Sequence, residues 1–318
     1  MHQIDDYIHA ATRDNTRRSY RAAVAHFEVE WGGFLPATAD SISKYLADHA
    51  GVLANNTLKQ RLSGLGQWHV DQGFPDPTKA PIVRKVMRGI QELHPAQEKR
   101  AKPLQLDALE QAVNWLENER ERARQEGRFA DLLRHTRDRA LLLIGFWRGF
   151  RSDELARLDI GRIEAVAGEG MTIQLPRTKT DRSLKGTTYK TPALSRLCPV
   201  TAYLDWLAVS GLTKGPLIRS VDRWGRISDE AMNSGSIIPL LRKMLESADI
   251  ADAYLYSSHS LRRGFATWAI ANGWDLRTLM EYVGWKNVTS ASRYIDSQDL
   301  YHRKMMERLI PKTQNSIE

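Results

Sequence analysis

Between Pro95 and Pro103 the chain reads PAQEKRAKP, and this short stretch limits the fold more than any other. A proline has no amide hydrogen to give a helix, and its ring pushes the residue before it out of helical geometry. The residues between the two prolines are mostly polar, so they add little to a core. The chain must close one core before the stretch and another after it. Residues 1–95 and 104–318 are therefore expected as two domains joined by a linker over 96–103. At 318 residues, 42% hydrophobic and 26% charged, the chain has enough material for both.

Helical punctuation dominates the first piece. Asn15 and Thr16 start a helix through RRSYRAAVAHFEVEW, Asp40 is placed to cap SISKYLADHA, and NNTLKQRLSGLGQWHVDQG runs to a stop at Gly73. PIVRKVMRGIQEL opens with Pro81 in its first turn, where the missing amide costs nothing. A compact domain of four to five helices is expected. In the second piece, 103–126 and 137–149 read as helices. GMTIQLPRTKT and TTYKTPA have the β-branched content of a small antiparallel hairpin or sheet, and helices return from Val200 to Ser210 and through the last third. The fold class expected is mainly α (α+β).

Charge narrows the partner. The net charge is +8, and residues 1–95 hold 11 Lys and Arg against 10 Asp and Glu, so +7 falls on the remainder. Such a surplus favours a polyanion. The longest apolar run, Ala140–Trp147, is flanked by Arg139 and Arg148 and is too short to cross a bilayer, so no membrane partner is expected. MHQIDDYIHAATRDN has no apolar leader core, and the single cysteine, Cys198, allows neither an internal disulfide nor a cysteine-rich zinc site. A cytoplasmic location is expected.

Several residues carry possible chemistry, each with a plainer reading. Arg151 lies between two helical stretches in WRGFRSDELARL, with Ser152 placed to cap the second and Glu154 near enough to hold the guanidinium; it could equally be a solvated cap. Lys179 in RTKTD lies where a hairpin tip is expected. His259 and Arg262 are three apart on a helix with apolar Leu261, Phe265, Trp268 and Ala269, so both could reach one phosphate. Spacing does not choose between Arg262 and Arg263, and both could be solvated. Trp285 and Tyr294 could be ordinary core aromatics.

In order, GFRSDEL, RTKT, HSLRRGFAT and VGWKNVTSASRYI resemble the tyrosine recombinases, the phage integrase family, with NTRRSYRAAVAHF similar to the start of that family's core-binding domain. The resemblance covers nearly the whole chain, and the RTKT wording and Trp285 are similar to its phage and plasmid members. It implies a core-binding domain over 1–95 and a catalytic domain over 104–318. It implies an active site of Arg151, Lys179, His259, Arg262, Trp285 and Tyr294, with Glu154 in the supporting acidic position and Tyr294 as nucleophile. The resemblance also favours Arg262 over Arg263. Trp285 stands where His is usual in the family, and an indole cannot titrate. No cofactor and no metal are implied. The partner is double-stranded DNA, met by the first and third helices of the first domain, for which Arg18, Ser19, Thr57, Lys59, Gln60 and Arg61 are the candidates. The implied assembly is a homotetramer on two DNA sites, formed from a chain that is monomeric or weakly associated when free. Residues 297–318 read as a terminal helix that could fold back on its own domain; the resemblance favours its passing to the neighbouring subunit, and it implies a bacterial, phage or plasmid setting. Two rival functions stand beside recombination: DNA relaxation of the type IB topoisomerase kind, and DNA binding without catalysis.

Overall fold

The computed structural model describes residues 14–95, 101–176 and 186–285, with Tyr7, Thr12, Asn287, Val288 and Ala291. Lys179, Tyr294 and the terminal segment 300–318 lie outside the described residues. The chain divides into two compact units, Met1–Lys99 and Arg100–Glu318.

Four α-helices are described in the first unit: α1 (Asp14–Ala25), α2 (Ala39–Asp48), α3 (Asn55–Asp71) and α4 (Pro81–Leu93). A π-helical turn, His26–Glu30, extends α1. Phe27, Ile42, Tyr45, Leu46, Leu58, Leu65, Val83, Met87 and Ile90 form the core. α1 packs on α3 and α2 on α4. Gly64 allows the first of these pairs to approach closely, because a Cβ there would lie 2.6 Å from that of Ala23. Thr38, not Asp40, caps α2: its hydroxyl accepts the Ser41 amide at 3.1 Å, and Asp40 falls inside the first turn. Under the π turn, the Tyr45 hydroxyl lies 2.8 Å from His26 Nδ1. Burial pushes the Tyr45 phenol up to about 12 and, with the charge of Arg61, holds His26 below its usual range.

The second unit is built around α6 (Phe129–Arg148), which packs on α5 (Leu106–Gln125). α6 starts at Phe129 rather than Arg137. Its first turns are charged and Phe129 is exposed, so they lack the apolar stripe of the later turns. From Thr136 to Arg148 every residue of α6 is buried. After Gly149 comes the short α7 (Ser152–Ala156). A three-stranded antiparallel sheet follows, β1 (Ile163–Val166), β2 (Gly170–Leu175) and β3 (Thr187–Pro192), in register Ile163↔Ile173↔Tyr189. Met171, Ile173 and Leu175 alternate into the core, as a half-buried strand requires. Next come α8 (Pro199–Ser210), a second hairpin β4 (Arg219–Val221) and β5 (Ile227–Ala231), and then α9 (Ser234–Ser247), α10 (Ser258–Ala271) and α11 (Leu276–Val283). α8 and α10 also pack on α6. The fold class is mainly α with a small antiparallel sheet. Among the described residues no helix is long and apolar enough to cross a membrane.

Candidate active site

The site grows from the turn between α6 and α7. Gly149 ends α6 in the left-handed region at φ +57°, which glycine adopts without strain. A Cβ there would meet Arg262 at 3.3 Å and Val283 at 3.4 Å. The chain then extends through Arg151, which holds the N-cap position of α7 at φ −82°, ψ 161°. Ser152 is the first helical residue and not the cap. The capping bond comes instead from within the helix: the Glu154 carboxylate accepts the Arg151 amide at 2.9 Å with one oxygen and the Arg151 guanidinium at 2.8 Å with the other. One carboxylate thus fixes both the backbone and the side chain of Arg151.

Glu154 reaches a second cation. Its Oε2 lies 3.6 Å from Arg262 Nη1, and that nitrogen donates to the Gly149 carbonyl at 2.8 Å. Glu154 is 3% exposed and Arg262 1%. Neither Arg262 nor its neighbour Arg263, 6% exposed, is solvated. Arg151, Arg262 and Glu154 thus bring two guanidiniums to one buried carboxylate. Burying such charges is tolerable because each is hydrogen-bonded.

α10 delivers Arg262. Ser257 caps it, its hydroxyl accepting the His259 amide at 3.2 Å, while the Ser260 hydroxyl accepts the Ser257 amide at 2.8 Å. His259 is exposed in the first turn, one turn ahead of Arg262. Leu261, Phe265, Ala266 and Ala269 anchor the helix in the core. The chain entering the unit is fastened to it: the Leu104 amide donates to the Ser260 carbonyl at 3.0 Å, and just ahead of the helix the Lys102 amide donates to the Leu255 carbonyl at 3.3 Å. Gly264 faces Leu104 so closely that a Cβ there would lie 1.9 Å from the Leu104 carbonyl oxygen.

α11 delivers Trp285. Gly284 ends that helix at φ +77°, and the Trp285 amide donates to the Met280 carbonyl at 2.8 Å. The indole is 5% exposed, with the Arg262 guanidinium carbon 5.0 Å from the ring centroid, a cation–π contact. The Tyr189 hydroxyl lies where it would be 3.2 Å from a Cβ on Gly284. Arg151, Glu154, Arg262 and Trp285 therefore form one cluster.

Sequence reasoning missed Arg148, read only as a charge flanking an apolar run. It is 2% exposed. Its guanidinium carbon lies 4.8 Å from the ring centroid of Tyr189 and 3.8 Å from that of Tyr282. Nη1 donates to the Lys190 carbonyl at 3.1 Å and Nη2 to that of Tyr282. Burial pulls its pKa below the ordinary arginine range.

The candidate DNA-facing residues fall on α1 and α3. Arg18 and Lys59 are exposed, with an Arg18 guanidinium nitrogen 2.8 Å from Asn15 Oδ1. Thr57 is half-buried. Gln60 donates to the Ser19 carbonyl at 3.1 Å and to its hydroxyl, and Arg61 donates to the Ala22 carbonyl. Ser19, Gln60 and Arg61 thus also fasten α1 to α3.

The phage integrase family pattern matches residues 123–300. The chain is 25% identical over 309 residues to an integrase/recombinase xerD homolog of Selenomonas ruminantium, covering 94% of this chain and 86% of that protein. It is 29% identical over 280 residues to the recombinase cre of Escherichia phage P1, covering 84% and 78%. Its fold is similar to that of XerH site-specific recombinase bound to a palindromic difH substrate in a post-cleavage complex, with a TM-score of 0.63, 16% identity and coverage of 92% of this chain and 79% of that one. The chain belongs to the phage integrase family and is a tyrosine site-specific recombinase that resembles Cre.

Proposed function

We propose that the chain cuts and rejoins double-stranded DNA through a 3′-phosphotyrosyl intermediate, exchanging strands between two paired target sites as a homotetramer, without ATP or metal. The observation that carries this reading is the pair of guanidiniums, Arg151 and Arg262, braced by the single buried carboxylate of Glu154 with Trp285 stacked on one of them. A phosphodiester is anionic and resists a second anion. Two fixed guanidiniums can fork onto its non-bridging oxygens and neutralise charge as it builds at phosphorus. Their positive charge takes the part a metal ion plays elsewhere.

In this mechanism the Tyr294 oxygen attacks phosphorus, and the phenolic proton passes to His259, which its place at the exposed start of α10 leaves open to a substrate. The bond from phosphorus to the 5′ oxygen breaks, and Lys179 gives that oxygen its proton. The Trp285 indole donates to a phosphate oxygen. Because one phosphoester replaces another, the step runs backwards as readily, and rejoining needs no nucleotide. Residues 1–95 recognise the DNA through α1 and α3, with Arg18 and Lys59 on phosphate and Gln60 or Arg61 reading bases once they release their helix-to-helix contacts. Residues 104–318 carry the chemistry.

Tyr294→Phe tests the reading, since it removes only the nucleophilic oxygen. The variant is expected to bind its target site with nearly unchanged affinity and to form no denaturant-resistant adduct. A covalent adduct in the Phe variant would overturn the assignment. Deletion of DNA between two directly repeated sites, without relaxation of site-free supercoiled DNA, separates recombination from topoisomerase action.

A further inference from the structure

We infer that Arg148 is a positioning residue of this active site, a buried clamp that sets Trp285 and Arg262 against each other; this rests on the reaction proposed above. Three elements meet at its guanidinium. It leaves the last residue of α6, bonds the Lys190 carbonyl on β3, and bonds the Tyr282 carbonyl in the last turn of α11. The rings of Tyr189 and Tyr282 both make cation–π contacts with it. Each attachment is close in sequence to a proposed active-site group. Gly149, the next residue, gives its carbonyl to Arg262. Arg151 follows three residues on, and Trp285 follows Tyr282 by three.

Stability alone does not explain such a group. Among the described residues no Asp or Glu pairs with Arg148, and an uncompensated buried charge weakens a fold relative to an apolar side chain of the same volume. What a guanidinium supplies and an apolar group does not is direction. Its fork fixes two carbonyls at once, and its plane fixes two rings. The α11 terminus is thereby held in one place, and with it the indole that lies over Arg262. Tyr189 completes the clamp, its hydroxyl against Gly284 at the turn between α11 and Trp285.

The test uses the full chain labelled with 5-fluorotryptophan and a nicked duplex recovered by binding selection with this protein. The ¹⁹F resonance of Trp285 is identified by its loss in Trp285→Phe. In Arg148→Ala the Trp285 resonance is expected to shift or broaden and single-turnover cleavage to fall by about tenfold or more, while affinity for the same duplex stays within about twofold. Methylguanidinium, which matches the removed group in shape and charge, is expected to restore part of the rate. Should Arg148→Ala fail to fold, Arg148→Lys serves: it keeps the charge and loses the fork, and is expected to show the same shift with a smaller loss of rate. An unmoved Trp285 resonance, a wild-type rate, or a rate loss explained by weaker binding would each overturn the clamp. Absence of cleavage by the wild-type chain would overturn the proposed reaction instead.

Discussion

Glu154 has two cations and one backbone amide to satisfy, and its worth lies in doing all three. Glu154→Gln keeps the shape but removes the negative charge that both guanidiniums share. Breaking a buried ion pair from one side costs about 3–5 kcal/mol. The expected outcome is a lower Tm by thermal denaturation, together with a fall in single-turnover cleavage of about 30-fold if about 2 kcal/mol of that cost appears at the transition state. A wild-type rate would show that the carboxylate only stabilises the fold. Lys179 answers a different question. If it protonates the departing 5′ oxygen, Lys179→Ala should slow cleavage of ordinary DNA far more than of DNA with a 5′-bridging sulfur, because a thiolate leaves without a proton. Equal losses on the two substrates would give Lys179 a binding role.

Among the elements, the π-helical turn at His26–Glu30 carries a pH signature. Burial first, and the Arg61 charge second, hold the His26 pKa below its usual 6.5, so the folded chain binds fewer protons there than the unfolded chain. The stability this neutral imidazole contributes is fully present above 6.5 and is lost as pH falls below it. Wild-type Tm should therefore drop between pH 7.5 and pH 5, and His26→Gln should flatten that dependence; an unchanged dependence would discount His26. The same elements show what a sequence discloses. Helix boundaries were legible where the chemistry marks them: Pro81 at the head of α4, Gly149 after α6 and Gly284 after α11. β2 and β3 showed in their β-branched residues. β1, β4 and β5 did not, because they are short and two of them consist largely of polar residues; pairing across the sheet makes them strands. At the site, spacing showed that His259 and Arg262 share one side of α10. It could not show that Gly149, Glu154 and Trp285, scattered over more than a hundred residues, converge on Arg262. Arg148 was illegible for a related reason: an arginine at the end of an apolar run reads as solvated, and only tertiary packing seals it.

At the scale of the whole molecule, the proposed assembly turns on residues 300–318, where Leu300, Met305, Leu309 and Ile310 give part of an apolar stripe too short to stand alone. Handed to a neighbour head to tail, such a segment closes a ring. Deleting 300–318 should leave binding of one protomer to a half-site largely intact, weaken cooperative filling of the second half-site, and abolish recombination. Cooperative binding and recombination like the wild type in mobility-shift and deletion assays would remove the tail from assembly. Cleavage should also persist in EDTA and without nucleotide, whereas a magnesium requirement for the cut itself would defeat the arginine mechanism. The chain entering the second unit is fastened by Leu104 to Ser260 of α10 and by Lys102 to Leu255 just ahead of it, and Gly264 leaves no gap beneath Leu104. That seam is also a mechanical anchor. Tension applied to the backbone at Leu104 would act first on the start of the helix bearing His259 and Arg262. Position 264 is closed to every side chain, since even a methyl group would pry the anchor open and strain the helix that carries His259 and Arg262.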